Sequence, residues 1–114
     1  SAASDVYKRQ ADGRGVMVVV SLACYLLLAP LVEEIVFRRL LMGYLDRSVP
    51  AFASVVLSSL LFGVAHIAPP VMVYATFLGM GCALVTRFHN SLRAGFIVHL
   101  VNNVAVQLIA VSAL

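Results

Sequence analysis

Residues 15–31, with the sequence GVMVVVSLACYLLLAPL, form an uncharged apolar run that indicates a membrane-spanning helix. A helix needs roughly 20 such residues to cross the hydrocarbon of a bilayer. Three further apolar runs follow at residues 51–67, 71–88 and 92–114. These runs are long and lack the alternation of apolar and polar residues that marks a strand. We therefore predict an all-α fold, a polytopic transmembrane helix bundle embedded in a lipid bilayer.

The composition supports a membrane protein and excludes several other classes. The 114 residues are 62% hydrophobic and 11% charged, whereas soluble domains are about 45–50% apolar and about 25% charged. No basic patch with interleaved aromatic residues exists, so nucleic acid is not an expected partner. Cys24 and Cys82 each stand alone in an apolar run. They are predicted to be reduced thiols that behave as small apolar side chains.

The boundaries of the helices depend on Pro30. Proline lacks a backbone N–H and crowds the preceding turn, so a kink or a break is expected before a second helical stretch at residues 32–45. The bundle then has four to five helices. Residues 1–14 form a polar tail and residues 15–114 the transmembrane core, and the polar opening from Ser1 suggests a fragment of a larger bundle.

The position of the basic residues gives an orientation only if Pro30 marks a hairpin, which is the arrangement we favour. All the basic residues of the tail and of the later loops then lie on one side, which the positive-inside rule makes cytoplasmic. These residues are Lys8, Arg9, Arg14, Arg47, Arg87 and Arg93. If Pro30 is only a kink, the rule gives no clear orientation.

Ala75, Gly79 and Ala83 recur at every fourth position and form a smooth helix face. Small residues at this spacing permit close approach of helices in lipid. Alanine and glycine are also simply common in membrane helices.

The pattern EExxxR places three charged side chains, Glu33, Glu34 and Arg38, beside an apolar run. Ionisable groups in a membrane cost at least ~2.5–3.5 kcal/mol each, so they are functional candidates by default. Glu34 and Arg38 are four residues apart and are expected to form a pair. Glu33 points about 100° away and stays free for a substrate, a water or a proton. Alternatively, both glutamates lie in water at the membrane surface.

Two further patterns place histidines on helices. FxxxH ends an apolar run with Phe62 and His66, and HxxxN places His99 and Asn103 on one face of the last helix. His66 alone is equally consistent with a cap on the last carbonyls of its helix, and His99 with a single interhelical hydrogen bond. Because polar groups in lipid need partners, we expect all three patterns to meet in one polar cavity.

Such a cavity has the groups for hydrolysis by water. Neither GxSxG nor HExxH is present, so direct attack by water is the economical mechanism. A glutamate and a histidine activate the water, and histidine and asparagine donate to the developing oxyanion.

The ordered set EExxxR, FxxxH and HxxxN over residues 29–106 resembles the CPBP family of CAAX proteases and bacteriocin-processing enzymes, also called Abi proteins. The resemblance implies an intramembrane endopeptidase that cleaves near the C-terminus of a membrane-associated protein or peptide, such as a prenylated CAAX protein. It implies an integral membrane location, in a bacterial or archaeal plasma membrane.

The resemblance also implies roles for the matching residues. Glu33 activates water with help from His66, His99 and Asn103 hold the oxyanion, and Glu34 and Arg38 shape the site. A reaction without metal is favoured, although Glu33, His66 and His99 make up a His₂Glu set of the kind that binds zinc. The sequence departs from the family at Arg39, where many members carry glycine.

Two other functions remain open at this stage. The first is a non-catalytic membrane protein of the bacteriocin immunity or scaffold type. The second is a proton-coupled carrier, since buried glutamates and histidines also relay protons. A carrier would be expected to show internal repeats and matching interrupted helices, and only Pro30 hints at an interruption.

Overall fold

A computed structural model describes all residues, 1–114, and consists of four helices without strands. Three of the helices are long and apolar enough to cross a membrane, and the fourth is shorter. This confirms the prediction of an all-helical membrane protein. The helices are α1 (Ala2–Leu45), α2 (Ala51–Val64), α3 (Pro69–His89) and α4 (Leu92–Ser112).

The sequence predicts a kink or a break at Pro30; a break is wrong, because helix α1 continues through Pro30 and residues 15–45 belong to one helix. Two wide, π-helical segments, Cys24–Leu28 and Ile35–Leu41, interrupt the regular α-helical turns. Before the proline, the Ala29 N–H donates to the Cys24 carbonyl, five residues back. This wider turn absorbs the proline within the helix, as π-type turns do elsewhere.

The unbroken helix also changes the distribution of the basic residues. Its 44 residues extend over about 66 Å at 1.5 Å per residue. Lys8 therefore lies at the opposite end of α1 from Arg47, and Arg87 lies beside Asp46 at the Arg47 end, with a distance of 2.8 Å between its Nη2 atom and Asp46 Oδ1. The favoured hairpin, with every basic residue on one side, is not formed. Residues 2–14 are helical and exposed.

The turns at residues 46–50 and 90–91 lie at the same end of the bundle, which we call the loop end. The Asp46–Arg87 ion pair joins them. Asn90 ends α3 in the left-handed conformation (φ 48°), a backbone geometry that asparagine tolerates at helix ends. At the opposite end of the short helix α2, Pro69 and Pro70 begin α3, where the missing N–H groups cost nothing.

Close helix packing rests on small residues, as predicted for α3. Ala75, Gly79 and Ala83 are all buried. On α4, a Cβ atom at Gly95 would stand 3.0 Å from the Cys82 carbonyl oxygen and would also meet the Thr86 hydroxyl. Such small residues permit the close backbone approach that drives association in lipid.

The interior of the bundle is more polar than that of a soluble protein. Large apolar side chains such as Phe77 and Ile109 face outward, as expected for a lipid-facing surface. The buried polar and charged side chains are Glu34, Arg38, Ser54, Ser58, Ser59, His99 and Asn103. These polar groups lie between helices, where they form hydrogen bonds and ion pairs with one another or with the backbone.

Gly95→Ala tests the close contact between α3 and α4. Because the added methyl group would meet the backbone at Cys82, we expect a loss of about 1–3 kcal/mol in the free energy of unfolding. Gly81→Ala is the matched control, since nothing lies within 4 Å of its Cβ position. Thermal unfolding in detergent micelles measures both variants. Equal stability of the two variants would contradict the packing described.

The Asp46–Arg87 pair predicts a specific pH dependence. The hydrogen bond from Arg87 lowers the pKa of Asp46 below its ordinary value of 3.8. The pair therefore stabilises the fold fully above about pH 4, which is the pKa of Asp46 in the unfolded chain. This stabilisation is lost as the pH falls through the lower pKa that Asp46 has in the folded chain. Because the pair is partly exposed, the stabilisation amounts to no more than about 1 kcal/mol.

Unfolding of the wild type and of Asp46→Asn between pH 7 and pH 3 measures this effect. We expect the melting temperature of the variant to be lower at pH 7 and to converge on the wild type towards pH 3. Asp12→Asn, at an exposed position of α1, should match the wild type throughout. A constant difference between wild type and Asp46→Asn down to pH 3 would refute the assignment.

Candidate active site

Glu34 lies at the centre of the site, fully buried between α1 and α4. Its Oε1 atom is 2.8 Å from His99 Nδ1, and its Oε2 atom is 3.2 Å from Arg38 Nε on the next turn of α1. The predicted pair of Glu34 and Arg38 is therefore present. Both oxygens of this carboxylate have a partner, and the His99 contact fixes α4 against α1.

Glu33 occupies the other side of the same imidazole. Its Oε2 atom is 3.3 Å from His99 Nε2, and its side chain is 33% exposed whereas that of Glu34 is 0% exposed. The two neighbouring glutamates thus contact the two nitrogens of one histidine. The angular offset expected from helical periodicity produces this arrangement. Glu33 is the accessible carboxylate and Glu34 the enclosed one.

Two acidic residues, Glu33 and Glu34, and two basic residues, Arg38 and His99, meet at this point of the bundle. Because a carboxylate accepts hydrogen bonds, Nδ1 of His99 donates to the buried Glu34, and Nε2 is the nitrogen that faces Glu33. The imidazole is therefore held inside the bundle through one nitrogen, while its other nitrogen lies beside the partly exposed carboxylate.

Asn103 lies one turn beyond His99 on the same face of α4 and is buried. Its Nδ2 atom donates to the Tyr25 carbonyl oxygen at 3.4 Å. In the π-helical register set by Ala29 and Cys24, the expected donor to that carbonyl is residue 30. Pro30 has no N–H, so the Tyr25 carbonyl is free to accept from Asn103.

The neighbouring Asn102 holds Asn103 from the other side. Asn102 donates to Asn103 Oδ1 at 3.3 Å and accepts a hydrogen bond from the Tyr74 hydroxyl on α3. Sequence reasoning did not assign a role to Asn102, Tyr74 or Tyr25. The consecutive asparagines at 102 and 103, inside an apolar helix, were the available signal.

His66 is the predicted site residue that stands apart. It lies just past the end of α2 and is half-buried, and its Nδ1 atom is 2.8 Å from the Phe62 carbonyl oxygen. This is the helix-capping contact described above as the alternative. The Phe62 ring lies 5.0 Å from the His66 ring and 5.5 Å from the His99 ring, measured between centroids. His66 thus borders the same aromatic ring as His99 without a hydrogen bond to either glutamate.

Phe62 itself has a larger role than its motif suggested. It is fully buried, its ring centroid lies 5.2 Å from that of Phe37, and the Arg38 guanidinium carbon lies 4.9 Å above it. A cation over an aromatic face is attracted by the ring quadrupole. Phe62 therefore supports Arg38 as well as both histidines. Gly79 leaves room for this ring, because a Cβ atom there would stand 2.9 Å from it.

The metal-ligand chemistry of the site is limited. One group of three potential ligands, Glu34, Cys82 and His99, has its ligand atoms within 4.8 Å of one another, and the set Glu33, His66 and His99 does not form such a group. In the first group both Glu34 oxygens already have partners, one of them the positively charged Arg38. A divalent cation at Glu34 would meet that charge, so the residues do not fit a metal ion.

A comparison with protein families gives one result. The model described as type II CAAX prenyl endopeptidase Rce1-like matches residues 15–105, which include every predicted site residue. No curated protein and no solved structure matches the chain significantly. Because the match covers most of the chain and contains the cluster of Glu33, Glu34, Arg38 and His99, the chain belongs to the Rce1-like family of type II CAAX prenyl endopeptidases.

Proposed function

We propose that the protein is an intramembrane endopeptidase that hydrolyses a peptide bond near the C-terminus of a membrane-associated protein. The supporting observation is the contact of the partly exposed Glu33 with His99 Nε2, while Glu34 holds the other nitrogen. This contact places a carboxylate that is accessible to water beside an imidazole nitrogen. Family membership favours a prenylated CAAX protein as the substrate.

In the proposed reaction, Glu33 accepts a proton from a water molecule as the water oxygen attacks the scissile carbonyl carbon. The new C–O bond converts the carbonyl to a tetrahedral oxyanion. His99 Nε2 and Asn103 Nδ2 are the donors one turn apart on α4 that stabilise this charge. Glu34 and Arg38 hold His99 in place during the step.

The second step breaks the C–N bond. The proton taken up by Glu33 passes to the leaving nitrogen, so one carboxylic acid and one amine are formed from the amide and water, and Glu33 returns to its ionised form. His66, the assisting residue implied by the family, contacts the Phe62 carbonyl through Nδ1, and its Nε2 atom forms no hydrogen bond within the chain. That nitrogen is the one with which His66 acts.

The convergence of the polar residues favours a peptidase over a proton carrier. A carrier needs titratable groups spaced across the membrane, whereas Glu33, Glu34 and Arg38 all surround His99 within contact distance of one another or of its ring. His99 lies seven residues after Leu92, about 10 Å from the loop end along the axis of α4. This position near one end of the bundle gives the site access to water.

Glu33→Gln tests the proposed base. Removing general-base catalysis costs typically about 10²–10⁴-fold, so cleavage of a quenched farnesylated CAAX peptide in proteoliposomes should fall by that factor. Because Glu33 is partly exposed, the thermal stability should change little. An unprenylated peptide tests the substrate class, and a variant that cleaves at the wild-type rate would disprove the assigned role.

Arg38→Ala is expected to act on stability as well as activity. It leaves the buried Glu34 carboxylate without its cation, and breaking one partner of a buried pair costs about 3–5 kcal/mol. Arg47→Ala, in the exposed turn after α1, is the control. Both the stability against unfolding in detergent and the rate of peptide cleavage should be lower in Arg38→Ala than in the wild type. Arg47→Ala should match the wild type in both measurements. Wild-type stability of that variant would show that Arg38 does not support the site.

A further inference from the structure

Three hydrogen-bonded side chains connect α3 with Asn103, one of the two oxyanion donors of the proposed reaction. The Tyr74 hydroxyl on α3 donates to Asn102 Oδ1, and Asn102 Nδ2 donates to Asn103 Oδ1 at 3.3 Å. Asn103 Nδ2 in turn donates to the Tyr25 carbonyl oxygen at 3.4 Å. We call the side chains of Tyr74, Asn102 and Asn103 the amide network.

The direction of every hydrogen bond in the amide network follows from the acceptor at one end. A backbone carbonyl only accepts, so the Tyr25 carbonyl faces the amide nitrogen of Asn103. The other end of that amide, Oδ1, then needs a donor, and Asn102 presents its nitrogen there. Asn102 Oδ1 therefore points towards α3, where the Tyr74 hydroxyl is the donor that meets it. Without this hydroxyl, the Asn102 oxygen would lose its partner.

This orientation leaves one N–H of Asn103 for the reaction. The amide nitrogen carries two hydrogens, and the Tyr25 carbonyl accepts one of them. The second is available to the oxyanion. A donor stabilises developing charge best when it is held in place before the charge forms. Rotation of the Asn103 amide by half a turn would set its oxygen against the Tyr25 carbonyl and would remove the donor.

The amide network does more than join two helices. Gly95 on α4 already packs closely against the backbone at Cys82 on α3, and a single interhelical hydrogen bond adds little stability in a membrane. The distinctive property of the network is its consistent direction, from a hydroxyl through two amides to a carbonyl. Hydrogen bonds in such a series polarise one another, so the hydroxyl at one end supports the amide at the other.

We propose that Tyr74 is a positioning residue for peptide-bond hydrolysis: its hydroxyl, acting through Asn102, fixes the orientation in which Asn103 donates to the oxyanion. This inference rests on the proposed endopeptidase function. Tyr74 lies on another helix than any residue of the proposed reaction and is 52% exposed. Its effect reaches the substrate only through the two amides.

Tyr74→Phe keeps the aromatic ring and removes the donor. Cleavage of the quenched farnesylated CAAX peptide in proteoliposomes should show a kcat about 3–30-fold lower, part of the about 10²–10³-fold loss caused by complete removal of an oxyanion donor. The KM should stay within about twofold of the wild-type value, because the oxyanion forms only in the transition state. Tyr44→Phe removes a hydroxyl from an exposed position near the end of α1. This matched control should keep the wild-type kcat.

A double-variant cycle tests whether Tyr74 acts through Asn103. Asn103→Ala should lower kcat about 10²–10³-fold, and single-turnover cleavage with the protein in excess measures the remaining rate. Adding Tyr74→Phe to Asn103→Ala should cause no further loss, because the amide that the hydroxyl orients is gone. A general loss of folded protein would lower the rate in both backgrounds, so the cycle also separates misfolding from orientation. Losses that multiply would overturn the inference.

Two other results would also overturn the inference: a wild-type kcat in Tyr74→Phe, or a change confined to KM. In both cases, cleavage by the wild type that depends on Glu33 would leave the proposed function standing, and only the role of Tyr74 would fail. If the wild type does not cleave the peptide, the proposed function fails and the inference fails with it. A lower kcat at constant KM that disappears in the Asn103→Ala background supports both.

Discussion

The structure depends on one buried carboxylate, that of Glu34. An ionised group in the interior of a membrane bundle is tolerated only with charged or hydrogen-bonding partners, and Glu34 takes one from its own helix and one from α4. The pair with Arg38 is local, whereas the contact with His99 fixes the position of α4. Gly95 on α4 permits this contact, because a Cβ atom there would stand 3.1 Å from Glu34 Oε2.

Pro30 shows how a backbone irregularity contributes to the site. Its missing N–H leaves the Tyr25 carbonyl free, and Asn103 donates to it across the helix interface. The sequence predicts the lost hydrogen bond, but not whether the helix breaks or widens. That outcome depends on the packing of the flanking turns, and here the π-helical segments Cys24–Leu28 and Ile35–Leu41 keep α1 continuous.

Much of the candidate site follows from short-range rules that a sequence contains. The pairing of Glu34 with Arg38 and the outward direction of Glu33 follow from helical periodicity, and the need of polar groups for partners predicts their meeting with His99. The position of His66 does not follow from such rules. It depends on the Phe62 ring, which packs between elements distant in the chain and separates the two histidines. The hydrogen bond from Tyr74 to Asn102 likewise requires knowledge of how α3 packs against α4.

Arg38 connects the buried carboxylate with the aromatic packing of α2. Its Nε atom lies 3.2 Å from Glu34 Oε2, and its guanidinium carbon lies 4.9 Å from the centre of the Phe62 ring. The same ring packs against His99, with 5.5 Å between centroids, and Glu34 holds the Nδ1 atom of that histidine. His99 is therefore positioned twice, by the carboxylate and by the ring, and Arg38 contacts both of these groups. A change at Arg38 or Phe62 reaches the imidazole without any direct contact with the substrate.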